Sequence, residues 1–448
     1  MSATIHRGPE PPASTGGTWI PAPRSRDLAL PPGALFAALA QEGADPARLD
    51  AVARTLHAER RRTLDALKVS FAQAAEDPAA RKAFLQAFLQ VMREGEYGGL
   101  DAETYARATD QRFLLDIPVR VSWSALDPRW LAEAKKDPAI AAELDALDLP
   151  EAFRDRALFF YRGFLPQEAK GWYVAAKLDL ILMRILSGGP LRRLFTKKPA
   201  EHPPAKAERW LRRVGLADTP WHAGLLHRAT LHEPCFRQVV LLYRPSRGEG
   251  GLTLKLFRDI PLADAEMVFP KRKLGIRGLD ALLIAVTALA ATPAIIKAIM
   301  GGSGTAIALA IALGGYATKL VGQYLQKRGQ HRARLTATLY DKSQDTDVGV
   351  LQYLVDAGLT QSVAEVALAH HHLTNAGPLT PEALDARIEG WLEARFGVDP
   401  DYDVQDALTR AQALGLVRDD GDGTWSAAAP AEADAKLAEA WARLGRPV

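Results

Sequence analysis

The chain has 448 residues, 48% hydrophobic and 24% charged, which excludes a disordered or collagen-like protein and gives length for two or three domains. Lys and Arg number 56 against 53 Asp and Glu, a formal net charge of +3, so no global charge argument points to nucleic acid. A mean hydropathy of −0.10 excludes a many-helix transporter, and the single cysteine, Cys235, excludes an internal disulfide or a cysteine-rich metal site.

Residues 1–33 are rich in Pro, Gly, Ser and Thr, with no apolar signal-peptide core after Met1, and read as a disordered tail. Arg7, Arg24 and Arg26 raise a mitochondrial presequence as an alternative, but the prolines, Glu10 and Asp27 oppose the amphipathic helix it needs. Residues 34–110 form a helical region, with Val52, Leu56, Leu64, Leu67 and Phe71 at helical spacing. Asp45-Pro46 and Asp77-Pro78 predict two helix starts, Asp as N-cap and Pro as first helical residue. Phe84, Leu85, Phe88, Leu89 and Met92 make one core-facing stripe.

Residues 111–278 read as an α+β domain. Extended segments rich in aromatic and β-branched residues fall at 113–123, 157–164, 171–178, 234–243 and 252–260, and predict a mostly antiparallel sheet. Segment 206–216 reads as a short helix, and Cys235 as a small core residue.

From 281 to 318 Lys297 is the one charged residue, and Gly301-Gly302-Ser303-Gly304 divides the stretch. The expectation is a two-helix transmembrane hairpin over 279–326, with spans at 279–300 and 305–325. Lys271, Arg272, Lys273 and Arg277 precede it, and Lys327, Arg328, Arg332 and Arg334 follow. Positive flanks around an uncharged turn place both termini in the cytoplasm. Ala306, Ala310, Gly314, Thr318 and Gly322, four apart, form a helix-packing face for the partner span or a second protomer.

Candidate chemistry is sparse. Asp259, Asp264 and Glu266 could hold a cation or act as an acid/base pair, but a strand ending at Pro261, with Asp259 or Asp264 capping the helix that follows, is the favoured explanation. His370-His371-His372 invites a metal reading, but consecutive helical residues diverge by about 100°, and no metal is expected. Arg192, Arg193, Lys197, Lys198, Arg209 and Arg213, with the flank Lys271, Arg272 and Lys273, are candidate contacts for anionic lipid headgroups. Residues 327–448 form a helical C-terminal domain ending in a winged-helix-like module: helices at 381–396 and 404–414, then a hairpin turning at 420–423. From 374 onward 14 acids oppose 7 bases, which argues against a phosphate backbone as partner. No serine elbow, phosphate loop or dinucleotide fingerprint appears, and no cofactor is implied.

Phe257-Arg258-Asp259-Ile260-Pro261, followed by Asp264, Glu266 and Phe269-Pro270, resembles the signature of an uncharacterised membrane family, domain of unknown function 3754, whose animal relative is transmembrane protein 143. The likeness continues through 338–343, Gly349-Val350-Leu351, Glu365 and Ala367-Leu368-Ala369. Upstream it takes in Phe160-Tyr161-Arg162-Gly163 and Lys177, so that it covers roughly 150–375. The resemblance implies a membrane protein without assigned activity and carries over no catalytic residues.

The sequence therefore predicts an α+β body with N-terminal helices, a membrane hairpin and a winged-helix-like C-terminus, in a bacterial-type inner membrane rather than a mitochondrial one. The expected function is a non-enzymatic membrane-anchored scaffold or regulator, with the lipid bilayer and a protein or homo-oligomeric partner. A hydrolase or lipid-modifying enzyme using the three acids is the alternative, and an oligomeric pore the second.

Overall fold

The computed structural model describes residues 5–7, 17–28, 30–109, 119–153, 155–174, 176–178, 209–246, 251–274 and 342–444, with a few isolated positions besides. Its central layer is an antiparallel sheet built on β5 (Ala157–Gly171), β7 (Ala229–Tyr243) and β8 (Thr253–Pro261). The short strands β3 (Gly98–Gly99) and β10 (Ser343–Thr346) close its edges, in the order β10-β8-β7-β5-β3. Both faces are covered, as the consecutive Phe159 and Phe160 illustrate, since neighbouring strand residues point to opposite faces. Phe160 meets Phe88 edge-on at 5.9 Å, while Phe159 packs with Phe236 and Phe269.

Phe88 belongs to α3 (Pro78–Glu94), which runs antiparallel to α2 (Pro46–Gln73). Asp45 and Asp77 cap these helices by accepting from Ala47 N and Ala79 N at 2.9 and 2.8 Å, and Pro opens each one. Asp137 repeats the device at α6 (Pro138–Ala146), after α4 (Ala102–Thr109) and α5 (Arg129–Ala134). The predicted stripe Phe84, Leu85, Phe88, Leu89 and Met92 is buried throughout.

After β10 comes α7 (Val348–Ala376), 29 residues and about 43 Å long. It packs along α2, and the two helices join two cores. Leu64 and Leu67 of α2 with Leu351, Leu354 and Val355 of α7 pack beneath the sheet. Leu49, Val52 and Leu56 with Val363, Val366 and Leu368 build a second core, together with α1 (Pro32–Gln41) and the C-terminal module. That module comprises α8 (Pro381–Phe396), α9 (Val404–Ala413), the hairpin β11 (Val417–Asp419) and β12 (Trp425–Ala427), and α10 (Pro430–Leu444). Leu379 bridges Trp425 ahead of α8, so the order is helix, bridge, helix, helix, hairpin.

Three expectations require correction. Segment 206–216 contains a strand, β6 (Arg209–Arg213), not a helix. It pairs with β1 (Ile5–Arg7) and β2 (Thr18–Ala22), so residues expected to be a disordered tail supply both partners of a three-stranded sheet. The third concerns the membrane. Among the described residues no helix is long and apolar enough to cross one; α2 and α7 have the length, but polar and ionisable side chains interrupt both. Residues 279–326 lie outside the described residues apart from isolated positions, as do Ala306, Ala310, Gly314, Thr318 and Gly322. The integral-membrane assignment, its inner-membrane location and the functions built on an anchor or pore are therefore not retained.

Candidate functional site

A cavity of about 370 Å³ opens where the sheet, α7 and the N-terminal strap 24–32 meet. Its polar lining comes from Asp27 of the strap, Arg162 of β5, Arg237 and Gln238 of β7, and Tyr353, Asp356, Thr360 and Gln361 of α7. Both arginines converge on Asp27: Arg162 Nη2 lies 2.7 Å from Oδ1, and Arg237 Nη1 donates to Oδ2 at 2.9 Å. Arg162 also donates to Gln361 Oε1 at 3.2 Å and stands 5.5 Å from the centroid of the Tyr97 ring, a cation–π distance. Gln238 accepts from Tyr97 Oη at 2.6 Å and donates to Tyr353 Oη. Burial pushes the Tyr97 hydroxyl well above its ordinary range, so it serves as a donor.

Arg237 and Gln238 are adjacent, and regular alternation would send them to opposite faces. The pairing is interrupted at that level on both sides of β7. Arg162 pairs with Gln238 and Phe164 with Phe236, passing over Gly163; Gln238 pairs with Arg258 and Phe236 with Ile260, passing over Asp259. Gly163 and Asp259 both have left-handed φ, 65° and 51°, and this break brings two consecutive side chains to one cavity.

Behind the cavity a polar seam crosses between the two cores. Gln361 donates to Glu365 Oε1 at 2.7 Å, and Arg410 of α9 donates to Glu365 Oε2 at 2.9 Å and to Ser362 Oγ at 2.5 Å. Arg60 of α2 reaches the same Ser362 at 3.2 Å and pairs with Glu94. Tyr402 donates to the Glu365 carbonyl at 2.7 Å. Burial drives the Glu365 carboxyl upward while the Arg410 guanidinium beside it pulls it back down, and burial lowers Arg60 to about 10. Glu96, 4.0 Å from Arg26, is raised by burial to about 7. A network this buried offsets its desolvation only because its members hydrogen-bond one another.

The residues singled out from sequence do not gather here. Asp259 is exposed, and its backbone carbonyl, not its carboxylate, is engaged, accepting from Lys342. Asp264 is buried, and Glu266 accepts from Tyr105 Oη at 2.5 Å. Within the family wording, Phe257, Ile260 and Pro261 are buried, and Arg258 lies 5.9 Å from the centroid of the Tyr353 ring. Arg213 is 2% exposed, bidentate to Glu233 at 2.8 and 2.9 Å, and donates to the Arg107 and Ala108 carbonyls ending α4. It is a core cation with no surface for a headgroup. Arg209 is half-buried in β6, Lys271 is exposed, and Arg272 donates to the Met267 carbonyl. Arg192, Arg193, Lys197 and Lys198, and the side chain of Lys273, lie outside the described residues. Lys177 is buried and donates to Leu216 and Thr219 carbonyls at 2.7 and 2.9 Å.

His371 and His372 are 4% exposed, with His372 edge-on to Trp391 at 5.5 Å. Burial lowers His370 and His372 to about 4. Among the described residues no group of three or more His, Cys, Asp or Glu is placed to hold a metal ion. Cys235 donates to Gln167 Oε1 at 2.7 Å in the core.

The residues sequence reasoning missed are Asp27, Arg237, Gln361 and Arg410. Arg162 and Glu365 left a visible signal, a lone charge in an apolar strand and in an apolar helix, and both fall within the wording compared above with a known family. Residues 236–349 match the family described as protein of unknown function DUF3754. The match covers 114 of the 448 residues and places a DUF3754 segment within the chain. The matched segment runs from Phe236, beside Arg237, through the Asp259 interruption to the start of α7, so it supplies Arg237 and Gln238 to the cavity, and β5, the strap and the body of α7 supply the rest. The match does not extend to a likeness with transmembrane protein 143 or to membrane insertion. No solved structure matches the chain.

Proposed function

We propose that this protein binds a small molecule carrying a carboxylate or phosphate group in the cavity between the sheet and α7. The observation that carries the reading is the convergence of two guanidinium groups, Arg162 and Arg237, on one carboxylate at the cavity wall. Guanidinium forks match the geometry of oxyanions and hold their charge at every physiological pH. Leu30 and Pro31 of the strap supply apolar surface against which the body of such a molecule packs, and Asp356, Thr360 and Ala364 line the α7 wall. The volume falls in the lower part of the range usual for small-molecule sites, which concentrate where two packing units meet. Of the three acids, Asp259 is exposed, Asp264 is buried and Glu266 accepts from Tyr105, and the reading draws on none of them.

The test is calorimetric titration of the full chain with inorganic phosphate, pyrophosphate, succinate and citrate, with the melting temperature followed in parallel. At least one probe is expected to bind and to raise Tm by about 3 °C near saturation. Arg237→Gln, at a partly exposed position, is expected to weaken binding about tenfold while leaving the fold intact. Unchanged affinity in that variant, or failure of all four probes with both the wild type and Asp27→Asn, overturns the reading.

A further inference from the structure

The oxyanion position between Arg162 and Arg237 is already held by a carboxylate of the chain itself. Asp27 reaches it from a strap that is fastened on its outer side to the C-terminal module. Arg24 pairs with Glu389 at 2.9 Å and Asp399 at 3.1 Å, and Arg26 with Asp401 and Asp403, both at 3.2 Å. The Asp401 amide donates to the Ser25 carbonyl at 3.0 Å. On the inner side Gln361 clamps the strap from α7, donating to the Arg26 carbonyl at 2.8 Å and accepting from the Leu28 amide at 3.2 Å.

We propose that Asp27 is a built-in pseudo-ligand, which a carboxylate- or phosphate-bearing molecule must displace, loosening strap 24–28 from the C-terminal module as it binds. The inference rests on the oxyanion-binding reading above. Three observations separate it from a purely structural ion pair. Arg162 is 6% exposed, yet its Nε has no hydrogen-bond partner, so the internal carboxylate leaves donor capacity unused where a buried donor normally finds a partner. The Arg237 side chain is 38% exposed, so the two-arginine site is reachable from solvent while Asp27 occupies it. The bridges of Arg26 to Asp401 and Asp403 are solvent-exposed at the arginine, and such pairs are individually weak and readily broken. A competitor for one position lowers apparent affinity by the fraction of molecules in which that position is free.

The experiment titrates pyrophosphate and succinate into the wild type and Asp27→Asn, which keeps side-chain size and removes the charge. Asp27→Asn is expected to bind the better probe about tenfold tighter or more, and in the wild type the saturating probe should accelerate amide exchange of residues 24–28. Equal affinity in the two chains, or strap exchange unchanged at saturation, overturns the pseudo-ligand while leaving the oxyanion site standing. Absence of binding to both chains overturns the site and the pseudo-ligand together. Should Asp27→Asn fail to fold, the double variant Arg24→Gln/Arg26→Gln loosens the strap from outside the cavity. It is expected to bind about threefold tighter, and affinity equal to the wild type counts against the proposal.

Discussion

Gly163 and Asp259 lie on the two strands that flank Arg237, and both hold left-handed backbone at the level where the pairing with β7 is interrupted. A carboxylate conspicuous in the sequence thus acts through its main chain. Asp is among the few residues that tolerate this region, and at β8 it turns the strand so that Phe257 and Ile260 are buried while Arg258 and Asp259 stay exposed.

That relationship predicts opposite outcomes at the two positions. A Cβ at Gly163 would stand 3.3 Å from Ser25 Oγ on the strap, in addition to the left-handed penalty. Gly163→Ala is therefore expected to destabilise the chain by about 2 kcal/mol. Asp259→Gly relieves the same penalty and is expected to be neutral or stabilising by up to about 1 kcal/mol, with Asp259→Ala destabilising by about 1 kcal/mol. Urea midpoints for the three variants decide it, and a Gly163→Ala midpoint equal to wild type would contradict the account.

Local signals in the chain were legible and long-range ones were not. Asp45-Pro46 and Asp77-Pro78 specify helix starts through contacts within three residues, and helix α8 covers the span its periodicity predicts. Segment 206–216 misleads because β6 is a strand through pairing with Ile5–Arg7 and Thr18–Ala22, about 190 residues away in the chain. No local pattern contains that information. Arg24 and Arg26 read as a basic tail, and the acids after residue 374 as an excess of negative charge, until the two are seen to neutralise each other. For the cavity, Arg162 and Glu365 stand out as single charges in apolar runs, but their partners Asp27 and Arg410 become apparent only once the strap and α9 are in place. The apolar character of 281–318 is a property of composition, which does not specify the medium around it.

Glu365 is expected to be the most sensitive position of the seam. Its side chain is 1% exposed and accepts from both Arg410 and Gln361. Glu365→Ala leaves a largely buried guanidinium without its main carboxylate and is expected to cost about 3–5 kcal/mol. The double variant Glu365→Leu/Arg410→Met removes both charges together and should recover much of that loss. Denaturant unfolding measures both, and a single variant within 1 kcal/mol of wild type would show that the seam contributes little.

Glu96 predicts a loss of stability toward alkaline pH. Burial raises its folded value to about 7 against about 4.3 in the unfolded chain. Between those values the folded state keeps a proton that the unfolded state has released, so stability falls as pH rises through the window. Glu96→Gln removes the titration, and the variant should gain on the order of 1–3 kcal/mol over wild type at pH 8 while remaining close to it at pH 4.5. The same stability difference at both pH values would refute the assignment.

His372 gives the opposite sign. Burial against Trp391 lowers its folded value to about 4, while the unfolded imidazole titrates near 6.5. Between pH 6.5 and 4 the unfolded state therefore binds a proton that the folded state refuses, so stability is fully present above pH 6.5 and declines as the pH falls toward 4. His370, lowered to about 4 by burial, adds to the decline, and Glu96 opposes it between about pH 4.3 and 7. His372→Phe preserves an aromatic ring edge-on to Trp391 and removes one of the titrating groups. Relative to wild type, that variant is expected to gain on the order of 2–3 kcal/mol on going from pH 7 to pH 4. The readout is the difference between the two chains at each pH, which cancels the shared contributions of Glu96 and His370, and parallel curves would mean that His372 is protonated in the folded protein.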